Sequence, residues 1–163
     1  MSEVEFQFFK ENSVINFCGN DFNINSLHKF LELLKEIEQE GSINNLKVIG
    51  NFNTKLVFYN LFANQDKNKI DNILNLLQSI SRIMQESEII FTSELKGIVK
   101  GPAMEIALSC NYIKANEDTI IQLDNEYLGI MPILGTAQRL ARLIGYKDTL
   151  QAFLIEKKLT FDE

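Results

Sequence analysis

The sequence predicts an α/β fold with a largely parallel sheet. Short apolar segments rich in β-branched residues recur along the chain, and longer segments with apolar residues at helical spacing lie between them. Strands that alternate with helices in this way pair in parallel through right-handed crossovers. The chain has 163 residues, of which 45% are hydrophobic and 23% charged. This is enough for one sizeable core, and we expect a single domain over residues 1–163.

The first predicted elements are a strand and a helix. Residues 14–18 are short, apolar and β-branched, which is typical of a buried strand. Apolar residues between positions 27 and 37 follow a period of 3.6 and predict an amphipathic helix. Asn25 or Ser26 can cap its start, and Gly41 suits its end.

The next elements repeat this alternation. Residues 46–49 form a predicted second strand, and residues 56–59 form a possible third. One apolar face over residues 70–84 predicts a long helix, with Asp66 as its cap. Residues 89–92 then return to a strand pattern.

Glycine and proline mark the following boundary. Gly97 and Gly101 bracket a turn, and Pro102 begins a predicted helix that continues through Cys110, because proline is favoured in the first helical turn. The remaining predicted elements are strands at 112–115 and 119–123, a loop at 129–135, and amphipathic helices near 136–143 and 148–156.

Charge and cysteine content restrict the function classes. The net charge of −6 argues against a nucleic-acid or anionic-membrane partner, although a few local basic residues can hold a phosphate on an acidic protein. Cys18 and Cys110 lie in apolar runs and are expected to be buried free thiols in a reducing compartment. His28 is the single histidine, so we expect no metal and no cofactor. The sequence lacks signal-peptide and membrane-span patterns, which favours a cytoplasmic protein.

Two ordered motifs in the second half of the chain point to a family. Residues 95–110 read L-K-G-I-V-K-G-P-A-M-E-I-A-L-S-C. This resembles the enoyl-CoA hydratase/isomerase (crotonase) segment x-N-G-x-x-x-G-G-G-x-E-L-A-x-x-C. Residues 128–140 are similar to the family's L-G-x-x-P-x-x-G-x-x-Q-R-L, and residues 142–145 and 158–162 match its continuation. Residues 25–27 and 46–50 fit more loosely.

The resemblance implies a crotonase-like (ββα-spiral) fold with a largely parallel sheet. The family usually continues with a further helical region, which is expected to be lacking after Glu163. Apolar surface that this region would cover must then be buried in another way. Leu150, Phe153, Leu154 and Ile155 fit either ordinary core, our first interpretation, or an oligomer contact.

The resemblance also implies an oxyanion hole, in which two backbone N–H groups stabilise developing negative charge on a CoA thioester. One donor is the middle glycine of G-G-G, next to Gly101, and Pro102 occupies that position. Proline has no N–H, so a shifted backbone would have to offer Ala103 instead. The other donor falls near Tyr59, where residues 58–62 are bulky and favour an apolar plug over a thioester site.

Hydratases of the family use two glutamates, and only the first is matched here. Glu105 stands in register with it, and the alternative is an exposed helix residue. Asn125 occupies the second position and cannot take up a proton. Asp124 and Glu126 flank it, and a one-residue bulge could bring either into place.

Three functions follow from this pattern. The first is a pseudoenzyme with impaired or lost acyl-CoA catalysis and a binding or assembly role. The second is an active acyl-CoA hydratase or isomerase that uses Glu105 as acid and base. The third is a structural subunit that pairs with a longer crotonase-like protein. The expected partners are an acyl-CoA and either a second copy of the chain or another protein.

Overall fold

A computed structural model describes residues 3–56, 67–123, 134–154 and 158–160. The helices are α1 (Ile24–Glu40), α2 (Lys67–Glu86), α3 (Gly101–Leu108) and α4 (Thr136–Leu154), and a short 3₁₀ helix spans Lys10–Asn12. The strands are β1 (Glu5–Phe9), β2 (Val14–Cys18), β3 (Asp21–Phe22), β4 (Asn45–Gly50), β5 (Lys55–Leu56), β6 (Ile90–Leu95), β7 (Ile98–Val99), β8 (Tyr112–Ala115), β9 (Ile120–Ile121) and β10 (Leu159–Thr160).

The main sheet has five strands in the order β1-β2-β4-β6-β8. Strands β2, β4, β6 and β8 pair in parallel, and only β1 is antiparallel to its neighbour β2. The predicted α/β fold with a largely parallel sheet is therefore confirmed. Two smaller sheets have the orders β10-β9-β7 and β3-β5.

Aromatic side chains dominate the core beside α1. The rings of Phe6 and Phe30 stack with centroids 4.9 Å apart, and Phe17 meets Phe30 edge to face at 5.5 Å. Such pairs add to the free energy gained by burial alone. Phe6 and Phe17 face each other across β1 and β2, so these contacts fix both strands against the helix.

Helix α1 begins earlier than the sequence indicated. Its N-cap is Asn23, whose side-chain oxygen accepts the amide hydrogen of Ser26 at 2.9 Å. The prediction of Asn25 or Ser26 as the cap was wrong, because Ser26 is the third helical residue and completes a capping box with Asn23. The predicted end is confirmed, since Gly41 has the left-handed conformation (φ 62°).

Other differences concern short elements. Strand β1 was not predicted, although its residues alternate between exposed and half-buried. The predicted strand at 119–123 is shorter, since β9 spans only Ile120–Ile121, and it lies in a different sheet from β8. The predicted helices near 136–143 and 148–156 correspond to α4, which is interrupted by non-helical geometry at Gly145. Asp66 and residues 57–59 lie outside the described residues.

The C-terminal half of α4 carries exposed apolar side chains. Tyr146, Leu150 and Leu154 are 80%, 53% and 73% exposed. The first interpretation as core was therefore wrong for Leu150 and Leu154, because these residues face outward. Phe153 packs against the core as a half-buried residue. Ile155 lies outside the described residues.

Candidate active-site region

The start of α3 is held close to the segment that follows β4. The amide of Lys100 donates to the carbonyl of Phe52 at 2.8 Å, and the amide of Thr54 donates to the carbonyl of Lys100 at 3.3 Å. Gly101 has φ +69°, and a Cβ atom placed there would lie 2.1 Å from the carbonyl oxygen of Thr54. Only glycine fits this close approach without a shift of the backbone.

Thr54 caps α3 from a distant part of the sequence. Its hydroxyl accepts the amide hydrogen of Ala103 at 3.1 Å and donates to the carbonyl oxygen of Lys100, also at 3.1 Å. Lys100 is the residue before the helix and supplies no side-chain cap. The first amides of a helix have no partner within it, so the Thr54 hydroxyl performs the role of an N-cap side chain. Thr54 is 1% exposed.

The Thr54 contact bears on the backbone N–H groups that the sequence predicts as oxyanion-hole donors. Pro102 is buried in the first turn of α3 and has no N–H to offer. The amide hydrogen of Ala103, the alternative donor, is bonded to Thr54 inside the protein. Neither group is therefore directed at a ligand in this conformation. Gly101 supplies the tight contact that brings Thr54 to the helix.

Glu105 connects α3 to the start of α4. Its Oε2 atom accepts hydrogen bonds from the amide of Leu134 at 2.8 Å and from the hydroxyl of Thr136 at 3.2 Å. Leu134 and Thr136 are buried, whereas Glu105 is half-buried. Glu105 is therefore not the freely exposed helix residue of the alternative interpretation. Its two hydrogen bonds hold the residues at the start of α4 in place.

Cys110 and Arg139 interact electrostatically, and Glu105 acts on the same arginine. Burial raises the pKa of the Cys110 thiol to about 12, and the thiol lies 3.7 Å from the carbonyl oxygen of Ile106. Burial also lowers the pKa of Arg139, whose guanidinium donates to the carbonyl of Leu134. Cys110 is thus a protonated, buried thiol at neutral pH, and it is a poor nucleophile.

Several predicted site residues cannot be placed. Tyr59, Asn125 and Glu126 lie outside the described residues, as do residues 58–62 and Asp124. The structure brings together Gly101, Pro102, Ala103 and Glu105, all on α3. It adds Thr54 and Thr136, which the sequence did not single out. The two threonines are recognised only through contacts across 49 and 31 residues of chain.

Among the described residues, no group of three or more His, Cys, Asp or Glu side chains could hold a metal ion. No helix of the described part combines the length and the apolar character needed to cross a membrane.

Sequence comparisons connect the chain to fatty acid oxidation enzymes. No protein-family profile matches it. It is 26% identical over 156 residues to the fatty acid oxidation complex subunit alpha of Idiomarina loihiensis, which covers 90% of this chain and 20% of that protein. It is 23% identical over 137 residues to a peroxisomal fatty acid beta-oxidation multifunctional protein of Arabidopsis thaliana, covering 81% of this chain and 19% of the relative.

Structural comparison shows the fold that the chain shares with solved structures. An enoyl-CoA hydratase of Geobacillus kaustophilus superposes with a TM-score of 0.81 at 22% identity, covering 96% of this chain and 63% of that one. An enoyl-CoA hydratase of Thermoplasma volcanium superposes with a TM-score of 0.81 at 21% identity, with coverages of 98% and 66%. The chain thus spans about a fifth of these curated relatives and just under two thirds of these solved structures.

Proposed function

Since this chain has the crotonase fold and is a divergent member of the enoyl-CoA hydratase/isomerase (crotonase) superfamily, we propose that its acyl-CoA catalysis is impaired or lost and that it acts in binding or assembly. One observation carries the proposal. The amide of Ala103 is bonded to the Thr54 hydroxyl, and the preceding residue is Pro102, which has no N–H. An oxyanion hole needs N–H groups that point at the reacting carbonyl, and each missing donor costs about 10²–10³ in rate.

The contacts of Glu105 support the same proposal. In an acid–base mechanism this carboxylate would have to face the substrate or its water. Its Oε2 atom instead accepts two hydrogen bonds from residues at the start of α4. These contacts give the carboxylate a structural role that needs no substrate.

A direct assay tests the loss of catalysis. Purified protein is mixed with crotonyl-CoA and a panel of longer enoyl-CoA thioesters, and hydration is followed by loss of the enoyl thioester absorbance. Thermal melting is recorded with crotonyl-CoA and with acetoacetyl-CoA. We expect no turnover, and no upward shift of the melting temperature beyond the one that free coenzyme A, measured alongside, gives. The alternative function, an active hydratase or isomerase, predicts turnover that Glu105→Gln abolishes, and that result would overturn the proposal.

The assembly part of the proposal is supported by the exposed apolar stripe of α4, defined by Tyr146, Leu150 and Leu154. The stripe lines a shallow groove of about 390 Å³. Contiguous apolar surface of this kind is typical of protein contacts. We propose that a second copy of the chain covers it. A longer crotonase-like protein is the alternative partner, and a reducing, cytoplasmic setting belongs to the same proposal.

Light scattering coupled to size-exclusion chromatography tests the self-association. Wild-type protein is expected to form a dimer or larger closed oligomer, and Leu154→Glu is expected to shift it to the monomer. Gln39→Glu places the same new charge on an exposed position of α1 and serves as the control. A monomeric wild-type protein at high concentration contradicts self-association. Co-purification with a longer crotonase-like protein would then identify that protein as the partner.

A further inference from the structure

A polar cleft lies on the side of the molecule where α2 ends, α3 ends and α4 begins. It has a volume of about 490 Å³, which is within the range of small-molecule sites. Its walls combine hydroxyl and amide side chains, which can each donate hydrogen bonds to an anion. These polar lining residues are Gln78, Ser81, Gln85, Ser109, Asn111 and Gln138.

The arginines of the chain converge on this cleft. Of the 16 basic residues in the sequence, thirteen are lysines and three are arginines. All three arginines, Arg82, Arg139 and Arg142, line the cleft, and none of its described lining residues is a lysine. Arginine differs from lysine in presenting a planar, five-donor fork that matches phosphate and carboxylate oxygens.

The positive charge of the cleft is only partly compensated. Among the residues that the structure describes, Glu86 is the one acidic residue that lines it. Within the described part of the chain, Arg82 and Arg142 are exposed and form no ion pair. Burial lowers the pKa of Arg139, and the charge of Arg142 acts in the same direction, while Glu105 opposes it. The neutral Cys110 thiol adds no negative charge at neutral pH.

The start of α4 adds to the positive electrostatic potential of the cleft. Gly135 and Gln138 line the cleft, so the first turn of the helix adjoins it. The positive end of the helix dipole favours an anion at that position. Arg139 donates to the carbonyl of Leu134, which holds its guanidinium against the wall of the cleft. One arginine is therefore fixed, and the two exposed ones are free to close on a ligand.

We propose that this cleft binds a small phosphate-bearing molecule. Among the described residues, three guanidinium groups against one lining carboxylate give the cleft a net positive charge, and Glu105, outside the lining, offsets part of it at Arg139. A diphosphate offers acceptor oxygens to more than one guanidinium at once, which a monocarboxylate does less well. The site is separate from the Thr54–Ala103 contact and does not depend on the proposed loss of catalysis.

Isothermal titration calorimetry with inorganic pyrophosphate tests the proposal on the wild-type chain and two variants. Arg82→Gln and Arg142→Gln each remove one charged donor from an exposed position, so the fold is retained. Each is expected to weaken binding by about tenfold (about 1.4 kcal/mol), because each loses a charge-assisted hydrogen bond to the phosphate. Lys35→Gln, an exposed position on α1, removes the same charge away from the cleft and should leave the affinity unchanged.

Two further measurements make the test decisive. Arg142→Lys keeps the charge but loses the fork, and it should bind more weakly than wild type but more tightly than Arg142→Gln. Added sodium chloride should weaken binding through screening. The proposal is overturned by any of three results. These are no heat of binding at millimolar pyrophosphate and low salt, equal affinity in wild type and both Gln variants, or tighter binding of citrate than of pyrophosphate. Circular dichroism confirms that every variant is folded.

Discussion

The hydroxyl oxygen of Thr54 lies 3.1 Å from the amide nitrogen of Ala103 and accepts its hydrogen bond across 49 residues of sequence. This contact ties the segment after β4 to the first turn of α3. The same hydroxyl donates to the carbonyl of Lys100, so both of its hydrogen-bonding roles are used inside the protein. One buried side chain thus caps a helix and occupies an amide of the segment that resembles an oxyanion hole.

Removing the Thr54 hydroxyl should destabilise the chain. Thr54→Val keeps the shape of the side chain but removes the Thr54 acceptor of the Ala103 amide in a buried setting, while the carbonyl of Lys100 keeps the Thr54 amide as a donor. A buried unsatisfied group costs about 1–3 kcal/mol, so we expect a loss of that size in the free energy of unfolding. Urea denaturation measures it.

Thr54→Ser is the matched variant for this prediction. It retains the hydroxyl and loses only a methyl group, which costs on the order of 1 kcal/mol when a buried cavity is left. The Val variant should therefore be the less stable of the two. A Val variant as stable as wild type would show that the hydroxyl contributes nothing as a cap.

Two glycines with similar backbone geometry should respond differently to alanine. Gly97 and Gly101 have φ values of 62° and 69°, and both conformations are unfavourable for a residue with a Cβ atom. A Cβ atom at Gly97 meets nothing within 4 Å, whereas one at Gly101 meets the Thr54 carbonyl oxygen at 2.1 Å. Gly97→Ala should cost about 1–2 kcal/mol from backbone strain alone.

Gly101→Ala should cost clearly more than Gly97→Ala, because the Thr54 backbone must also move. Chemical denaturation of both variants gives the comparison. Since the two substitutions are chemically identical, the difference isolates the contact with Thr54. Equal losses in the two variants would show that the segment before α3 can move aside without cost.

The order of elements could be predicted because it depends on local patterns. The β-branched run in β2 and the 3.6-residue period of α1 are visible in short windows of sequence. The boundary errors arose where local signals compete. Asn23, Asn25 and Ser26 are all of residue types that cap helices well. Ser26 is buried at the third helical position, so the cap is Asn23. Strand β1 depends on its pairing with β2, so its own composition indicates it only weakly.

The candidate site was predictable only in part, for a related reason. The register of Pro102 and Glu105 comes from a motif that is contiguous in sequence. The partners of this motif come from elsewhere: Thr54 lies 49 residues before Ala103, and Thr136 lies 31 residues after Glu105. A threonine in a polar segment has no local feature that predicts such a contact. The grouping of the three arginines likewise depends on how α2 and α4 pack.

The acceptor role of Glu105 gives a further stability prediction. Glu105→Ala removes the acceptor of the Leu134 amide and the Thr136 hydroxyl, both on buried residues. We expect a loss of about 1–3 kcal/mol in the free energy of unfolding. Glu105→Gln retains an acceptor oxygen and should lose less. Glu36→Ala, an exposed glutamate of α1, should change stability by no more than about 0.5 kcal/mol. The structural role is refuted if Glu105→Ala behaves like this control.

The buried thiol of Cys110 predicts a specific pH dependence of stability. Burial raises its pKa from the ordinary value of 9.0 to about 12 in the folded chain. Above pH 9.0 the unfolded chain therefore loses this proton while the folded chain keeps it. Fewer protons on the unfolded state mean that stability falls as pH rises through this window, by up to about 1.4 kcal/mol per pH unit. The contribution is fully present below the unfolded pKa.

Cys110→Ala isolates this contribution, because the other ionisable groups are the same in both proteins. The variant leaves a small cavity and should be less stable than wild type at about pH 8, where the thiol is protonated in both states. Its disadvantage should shrink toward pH 10, since only wild type pays for keeping the thiol protonated in the folded state. Urea denaturation at several pH values measures the difference. A stability difference that stays constant over this range would mean that the thiol ionises as readily in the folded chain as in the unfolded one.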